Sequence, residues 1–368
     1  MLSDEDGEPR VSAHPPVSAA QRVIDAAIEA RIFPAAAVDV GSSVGPMWRY
    51  ATGTLTFDTP VPASLDTIFD LASLTKPIGT TTVLMQLVLD GRVRLDEAIS
   101  ETFEEWRGHD REGVTVRDLL EHASGLAARL VDPSLQDRRE FEHDICTMPL
   151  EYVPRSRSIY SDLGFILLGL LASTRGRASL ADAIAGIVSR AGLVTGSERL
   201  AYDVRPDDRQ RVAPTVPLDD DRRRGRTLVG EVHDSYAAVL GAVAGHAGLF
   251  GDAGAVGAFA RTMLRAVRGE TSLPPPFTPD LASTFTTRSV VPGSSRALGW
   301  DTMLPTSSCG VRMSARAFGH VGFTGTSLWI DPARDRYFVL LTNRACHGGS
   351  LDEMRTVRRA FHDALGEV

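Results

Sequence analysis

The chain has 368 residues, 43% of them hydrophobic and 23% charged, and carries a net charge of −8 at pH 7. That composition belongs to a soluble globular protein large enough for two subdomains around one cleft, and its acidic balance leaves no electrostatic footprint for nucleic acid. Three cysteines without a Cys-x-x-Cys spacing point to reduced thiols rather than a disulfide framework or zinc site; there is no His-Glu-x-x-His, and no apolar run has the length of a membrane span.

Residues 1–16 are rich in Asp, Glu, Pro and Ser and read as a disordered lead. They lack the basic and apolar regions of a signal peptide, so the expected location is the cytoplasm. Helical periodicity covers 18–32, and two strand-like apolar runs follow at 35–40 and 47–57, separated by Gly41-Ser42-Ser43. A helix is expected to carry Ser73, with Pro77 tolerated in its first turn, where a missing N–H loses no partner. The polar turn before Tyr160 feeds an apolar helix. The basic cluster Arg222, Arg223, Arg224 and Arg226 directly follows the acidic run Asp219-Asp220-Asp221 and reads as a solvated loop. Strands are expected at 326–330 and 337–342, joined by the turn 331–335, with a closing helix over 351–365. The expected fold class is α+β: an antiparallel sheet built from both ends of the chain, flanked by N- and C-terminal helices and interrupted by a large, mostly helical insertion. Its expected parts are a discontinuous sheet subdomain, 17–76 with 291–368, and a helical subdomain, 77–290, with the active site at their interface.

Lys76 is the only lysine among 39 lysine and arginine residues. A coding bias toward arginine accounts for the others and leaves this one unexplained. Arginine stays protonated at any accessible pH, whereas a lysine amine can be desolvated toward neutrality, so Lys76 is a candidate general base. Burial and any neighbouring cation would favour its neutral form and Asp162, if close, would oppose it; the expected balance is a titration below that of an ordinary lysine. Ser73 stands three residues earlier, one helical turn away, which sets a hydroxyl nucleophile beside its activator.

Three motifs occur in order: Ser73-Leu74-Thr75-Lys76, Tyr160-Ser161-Asp162 and His320-Val321-Gly322. With Leu119–Leu126, Gly230–Asp234, Ala244–Phe250, Pro292–Asp301 and Leu340–Arg344, they make the sequence resemble the serine β-lactamases and penicillin-binding proteins, in the class C β-lactamase, DD-peptidase and esterase branch. The resemblance covers the chain from about Ala19 to its end. It implies acyl transfer through a covalent serine ester: Ser73 attacks, Lys76 takes the proton and Tyr160 relays it to the leaving group. It also implies an oxyanion site made by the backbone N–H groups of Ser73 and Phe323, with His320, Gly322 and Asp162 lining the substrate pocket. No cofactor and no metal are expected, and the partner is a small-molecule acyl substrate, with no nucleic acid and no membrane; the oligomeric state stays open.

Two positions depart from the lactamase pattern. Asp162 stands where Asn is usual, and an ionised carboxylate only accepts hydrogen bonds, so it cannot donate to an acylamide carbonyl. His320 stands where Lys is usual, which removes a permanent charge that would attract a substrate carboxylate. The expectation is a carboxylesterase, with an acyltransferase or a DD-peptidase with weak β-lactamase activity as alternatives, and a non-catalytic acylated sensor as the alternative from another class.

Overall fold

A computed structural model describes residues 15–130 and 137–366. Of the expected disordered lead, 1–14 lie outside the described residues, while Pro15 and Pro16 open helix α1 (Pro15–Glu29). Proline fits a first helical turn because its fixed φ is already helical. α1 ends three residues before the periodicity does: Ile32 N–H donates to Ala27 O (2.8 Å) and Arg31 takes a φ of +57°, the left-handed residue that closes many helices.

β1 (Ala35–Gly41) and β2 (Pro46–Gly53) follow, and the other strands of their sheet come from the far end of the chain: β6 (Asp301–Thr302), β7 (Phe318–Val321), β8 (Ser327–Asp331) and β9 (Arg336–Thr342). The sheet order is β2-β1-β9-β8-β7-β6, and each pairing is antiparallel. The expected run 47–57 is cut short at Gly53, where φ is +85° and a Cβ would stand 2.1 Å from Pro34 O.

β1 is buried along its whole length because both faces of the sheet are covered. Ala36, Val38 and Val40 pack with Ile24 of α1 and with Met354, Phe361 and Leu365 of the closing helix α10 (Leu351–Leu365). Ala35 and Ala37 face the other way, onto the cluster that holds Phe259 and Met263 of α8 (Ala253–Val267). The period of two along a strand therefore feeds two separate cores.

The stretch between β2 and β6 carries most helices: α2 (Thr82–Leu89), α3 (Val116–Leu120), α4 (Arg138–Thr147), α5 (Asp162–Gly176), α6 (Leu180–Arg190), α7 (Ser235–Val239), α8 and α9 (Pro279–Thr286). It also holds a small sheet, β3 (Phe69–Asp70), β5 (Phe250–Gly251) and β4 (Leu200–Ala201), in the order β3-β5-β4. Two-residue strands are too short to leave a periodic signal. Among the described residues no helix is long and apolar enough to cross a membrane.

Candidate active site

β3 delivers the chain to a sharp turn. Leu71 N–H donates to Leu249 O (2.9 Å), Ala72 N–H donates to the Asp70 side chain (2.8 Å), and Ala72 takes a φ of +46° immediately before Ser73. A non-glycine residue in that region is held there by its surroundings, and such positions cluster at functional sites. Asp70 supports the turn from inside: its other oxygen accepts from His233 N–H (2.7 Å), and burial pushes its pKa up to about 6 against those two backbone donors.

The helix expected around Ser73 takes the form of a short 3₁₀ turn, Ala72–Leu74, and a π-helical turn, Lys76–Thr81, that runs into α2. Wide turns of this kind recur at functional sites. Ser73 and Lys76 still meet across one turn: Lys76 Nζ donates to Ser73 Oγ at 3.0 Å.

Lys76 is fully buried, and its other two donations go to Asp162 Oδ1 (2.8 Å) and His246 O (3.3 Å). Three acceptors match the three protons of an ammonium. The ammonium also lies 4.7 Å from the centre of the Tyr160 ring and 5.7 Å from that of Phe165. Burial pulls the amine toward neutrality, but the Asp162 carboxylate and Tyr160 outweigh it, and the pKa is raised above that of an ordinary lysine. The expected titration below the ordinary value is thereby corrected: in the resting site the carboxylate wins over desolvation.

Asp162 opens α5, whose N-cap Ser161 accepts from Gly164 N–H (3.3 Å) and donates to Ala127 O (2.5 Å). Its second oxygen accepts from Arg129 Nη1 (2.9 Å), and the same nitrogen donates to Asp234 Oδ2 (3.1 Å). Asp234 Oδ1 pairs with His246 Nε2 (2.8 Å), while Arg129 stacks 4.1 Å above the Tyr236 ring. The result is a chain of alternating charge, Lys76, Asp162, Arg129, Asp234, ending on a histidine. Burial opposes both carboxylates, yet Lys76 and His246 beside Asp162, and His246 and Arg129 beside Asp234, hold both below the usual range.

Tyr160 is half-buried among rings and cations. His122 lies 4.7 Å and His320 5.8 Å from it between ring centres, and the Arg296 guanidinium sits 5.0 Å from its ring. Ser161 N–H donates to His122 Nδ1 (3.0 Å), which makes that nitrogen an acceptor and leaves the proton on Nε2. His320 has the other tautomer, with Nδ1 donating to Val321 O (2.8 Å), and its buried Nε2 has no partner among the described residues. Burial, reinforced by Lys76 and Arg296, holds both imidazoles neutral, well below the ordinary histidine pKa. His320 is only 3% exposed, and its ring reaches the site through Tyr160.

Gly322 and Phe323 follow β7. A Cβ on Gly322 would stand 2.7 Å from Leu71 O and 3.2 Å from Ala72 Cβ, so only glycine lets this turn lie against the nucleophile's turn. Thr324 and Thr326 fasten the two together through their hydroxyls, donating to Asp70 O (2.8 Å) and Leu71 O (3.0 Å). Phe323 is 36% exposed, and its ring stacks on His233 with centres 5.2 Å apart.

The structure thus brings Ser73, Lys76, Tyr160, Asp162, His320, Gly322 and Phe323 into one neighbourhood. Sequence reasoning missed Arg129, Asp234, His246, His122 and Arg296 as site residues. All but Arg129 fall inside the extended similar segments, yet their separation from Asp162 and Tyr160 along the chain hides the pairing. Among the described residues no cluster of His, Cys, Asp and Glu could hold a metal.

A family model described as Beta-lactamase matches residues 20–362. A putative D-alanyl-D-alanine carboxypeptidase from Escherichia coli (strain K12) is 31% identical over 324 residues, 79% of this chain and 72% of its own length. Among solved structures, EstCE1, a hydrolase with promiscuous acyltransferase activity, superimposes with a TM-score of 0.74 at 19% identity, covering 95% of this chain and 98% of its own. A class C beta-lactamase from Rhodobacter sphaeroides gives 0.73 at 20% identity, covering 95% and 99%. At these identities the two structures show a shared β-lactamase/transpeptidase-like fold.

Proposed function

The chain belongs to the β-lactamase family of serine hydrolases, and from that premise we propose that it is a carboxylesterase working through an acyl-Ser73 intermediate. Its site lies where the sheet subdomain, 17–76 with 291–368, meets the helical subdomain, 77–290. The observation that carries the ester preference is the double use of Asp162: both its oxygens already accept, from Lys76 and from Arg129. An acylamide carbonyl entering there meets no donor from Asp162, whereas an ester needs none.

In this reading Ser73 Oγ attacks the ester carbonyl and its proton passes to Lys76, then through Tyr160 to the departing alkoxide. Lys76 is a base only after losing its third proton, so turnover climbs as pH rises toward its raised pKa. The tetrahedral oxyanion is held by the N–H groups of Ser73 and Phe323. Water then takes the alcohol's place and the same groups run in reverse.

A second reading, a carboxypeptidase acting on D-alanyl peptides, draws on the name of the Escherichia coli relative. It also draws on Arg296, a guanidinium against Tyr160 with no acidic partner among the described residues, which would suit a substrate carboxylate. A fluorophosphonate probe, followed by parallel assays with aryl esters, an acyl-D-alanyl-D-alanine peptide and a chromogenic cephalosporin, separates the readings. The esterase reading expects labelling at Ser73 and the highest kcat/KM on the esters; fastest turnover of the peptide would replace it with the second reading.

A further inference from the structure

The turn that carries Phe323 is held from behind by two buried arginines. Arg358, on α10 and 5% exposed, donates through Nη2 to Gly322 O (2.6 Å) and Thr326 O (3.0 Å). Arg344, 8% exposed, donates through Nε (3.1 Å) and Nη2 (2.7 Å) to Phe323 O, and through Nη1 to Gly349 O (2.9 Å). Neither has a carboxylate partner among the described residues, and Arg358 Nε has no acceptor there. A buried cation without a counter-ion is costly, and a neutral donor would tie a turn together at less cost. Something other than fastening therefore accounts for the charge.

The position of Arg358 says what. Gly322 O and Phe323 N–H are the two ends of one conjugated peptide unit. A cation on the carbonyl draws electron density through that unit and strengthens the N–H as a donor, an effect that low local dielectric enlarges. We infer that Arg358 is a positioning residue for transition-state stabilisation, fixing and polarising the Gly322–Phe323 peptide so that its N–H binds the oxyanion on the acylated carbonyl. The inference rests on the acyl-Ser73 reading. Arg344 grips the next peptide along, so its charge acts on the oxyanion donor less directly.

The test compares Arg358→Met, which keeps an unbranched apolar stem without charge, with Arg358→Lys, which keeps charge, and uses Arg344→Met as a control. For each, single-turnover acylation by an aryl ester gives the saturating rate and the half-saturating concentration. An arylboronic acid, whose adduct with Ser73 is tetrahedral and anionic, reports transition-state complementarity. Loss of a whole oxyanion donor costs about 10²–10³ in rate; a weakened one is expected to cost about tenfold in Arg358→Met. Boronate affinity should fall by the same factor, with half-saturation unchanged. Arg358→Lys should stay within about threefold of wild type, and Arg344→Met should lose less than Arg358→Met. If Arg358→Met does not fold, Arg358→Gln, which retains a neutral donor for the carbonyls, carries the same expectations. Folded variants with unchanged boronate affinity, or equal losses in the lysine and neutral variants, would overturn the inference. A wild-type enzyme that takes neither boronate nor fluorophosphonate at Ser73 would remove the acyl-serine reading itself, and this inference with it.

Discussion

The two walls of the site treat positive charge in opposite ways. On the helical side each cation has an acid: Lys76 meets Asp162, and Arg129 lies between Asp162 and Asp234. On the sheet side Arg296 faces a ring and Arg344 and Arg358 face carbonyls, with His320 held neutral among them. The first wall cancels its own field, and what it controls is where protons sit. The second leaves an uncompensated positive field on the side where a substrate's developing negative charge would gather. In this reading proton handling and anion stabilisation fall to different walls of the site, and substitutions can separate them.

Ser73→Ala should remove all covalent labelling and ester turnover while both walls stay intact, read by intact-mass detection of the acyl-enzyme and by thermal unfolding. Label at another serine would show that the walls do not converge on Ser73. Tyr160→Phe, which interrupts the proton path but keeps the ring between the walls, should lower kcat by about 10²–10⁴-fold. An unchanged kcat would make Tyr160 a packing residue.

Asp162→Ala strips the helical wall of its central acid and leaves Lys76 buried without a counter-ion. Breaking a buried pair in this way typically costs about 3–5 kcal/mol, which denaturant titration would register as a lower midpoint. Asp234→Asn acts at the far end of the same chain. It frees Arg129 to pair more fully with Asp162, so the hold on Lys76 weakens slightly. The ascending limb of the kcat/KM profile should move to lower pH, by less than in Asp162→Asn. A limb that does not move would confine the proton network to Lys76 and Asp162.

The sheet wall was the more legible in sequence. Glycine at 322 beside a strand, the apolar runs of β8 and β9 and the periodicity of α10 each leave local signals. Ser73, Lys76 and Tyr160 were legible through motif order and the lone lysine. The helical wall was not: Arg129 and Asp234 are 105 residues apart, and nothing in local pattern couples them. The same gap explains the reversed expectation for Lys76. Burial could be anticipated from the motif, but the 2.8 Å contact with Asp162 that outweighs it is a tertiary fact. Arg344 and Arg358 were hidden because both sit in segments whose hydrophobic neighbours explain the fold without them.

The lone lysine offers the most direct test of the proton-handling wall. Lysine labelled with ¹⁵N at the side chain gives a single resonance, from Lys76, whose shift can be followed with pH in wild type and in Asp162→Asn. The account predicts a wild-type titration above the ordinary lysine value of about 10.4, falling when the carboxylate is removed, with the ascending limb of ester hydrolysis following it downward. A wild-type Lys76 that titrates below the ordinary value, unmoved by Asp162→Asn, would contradict it.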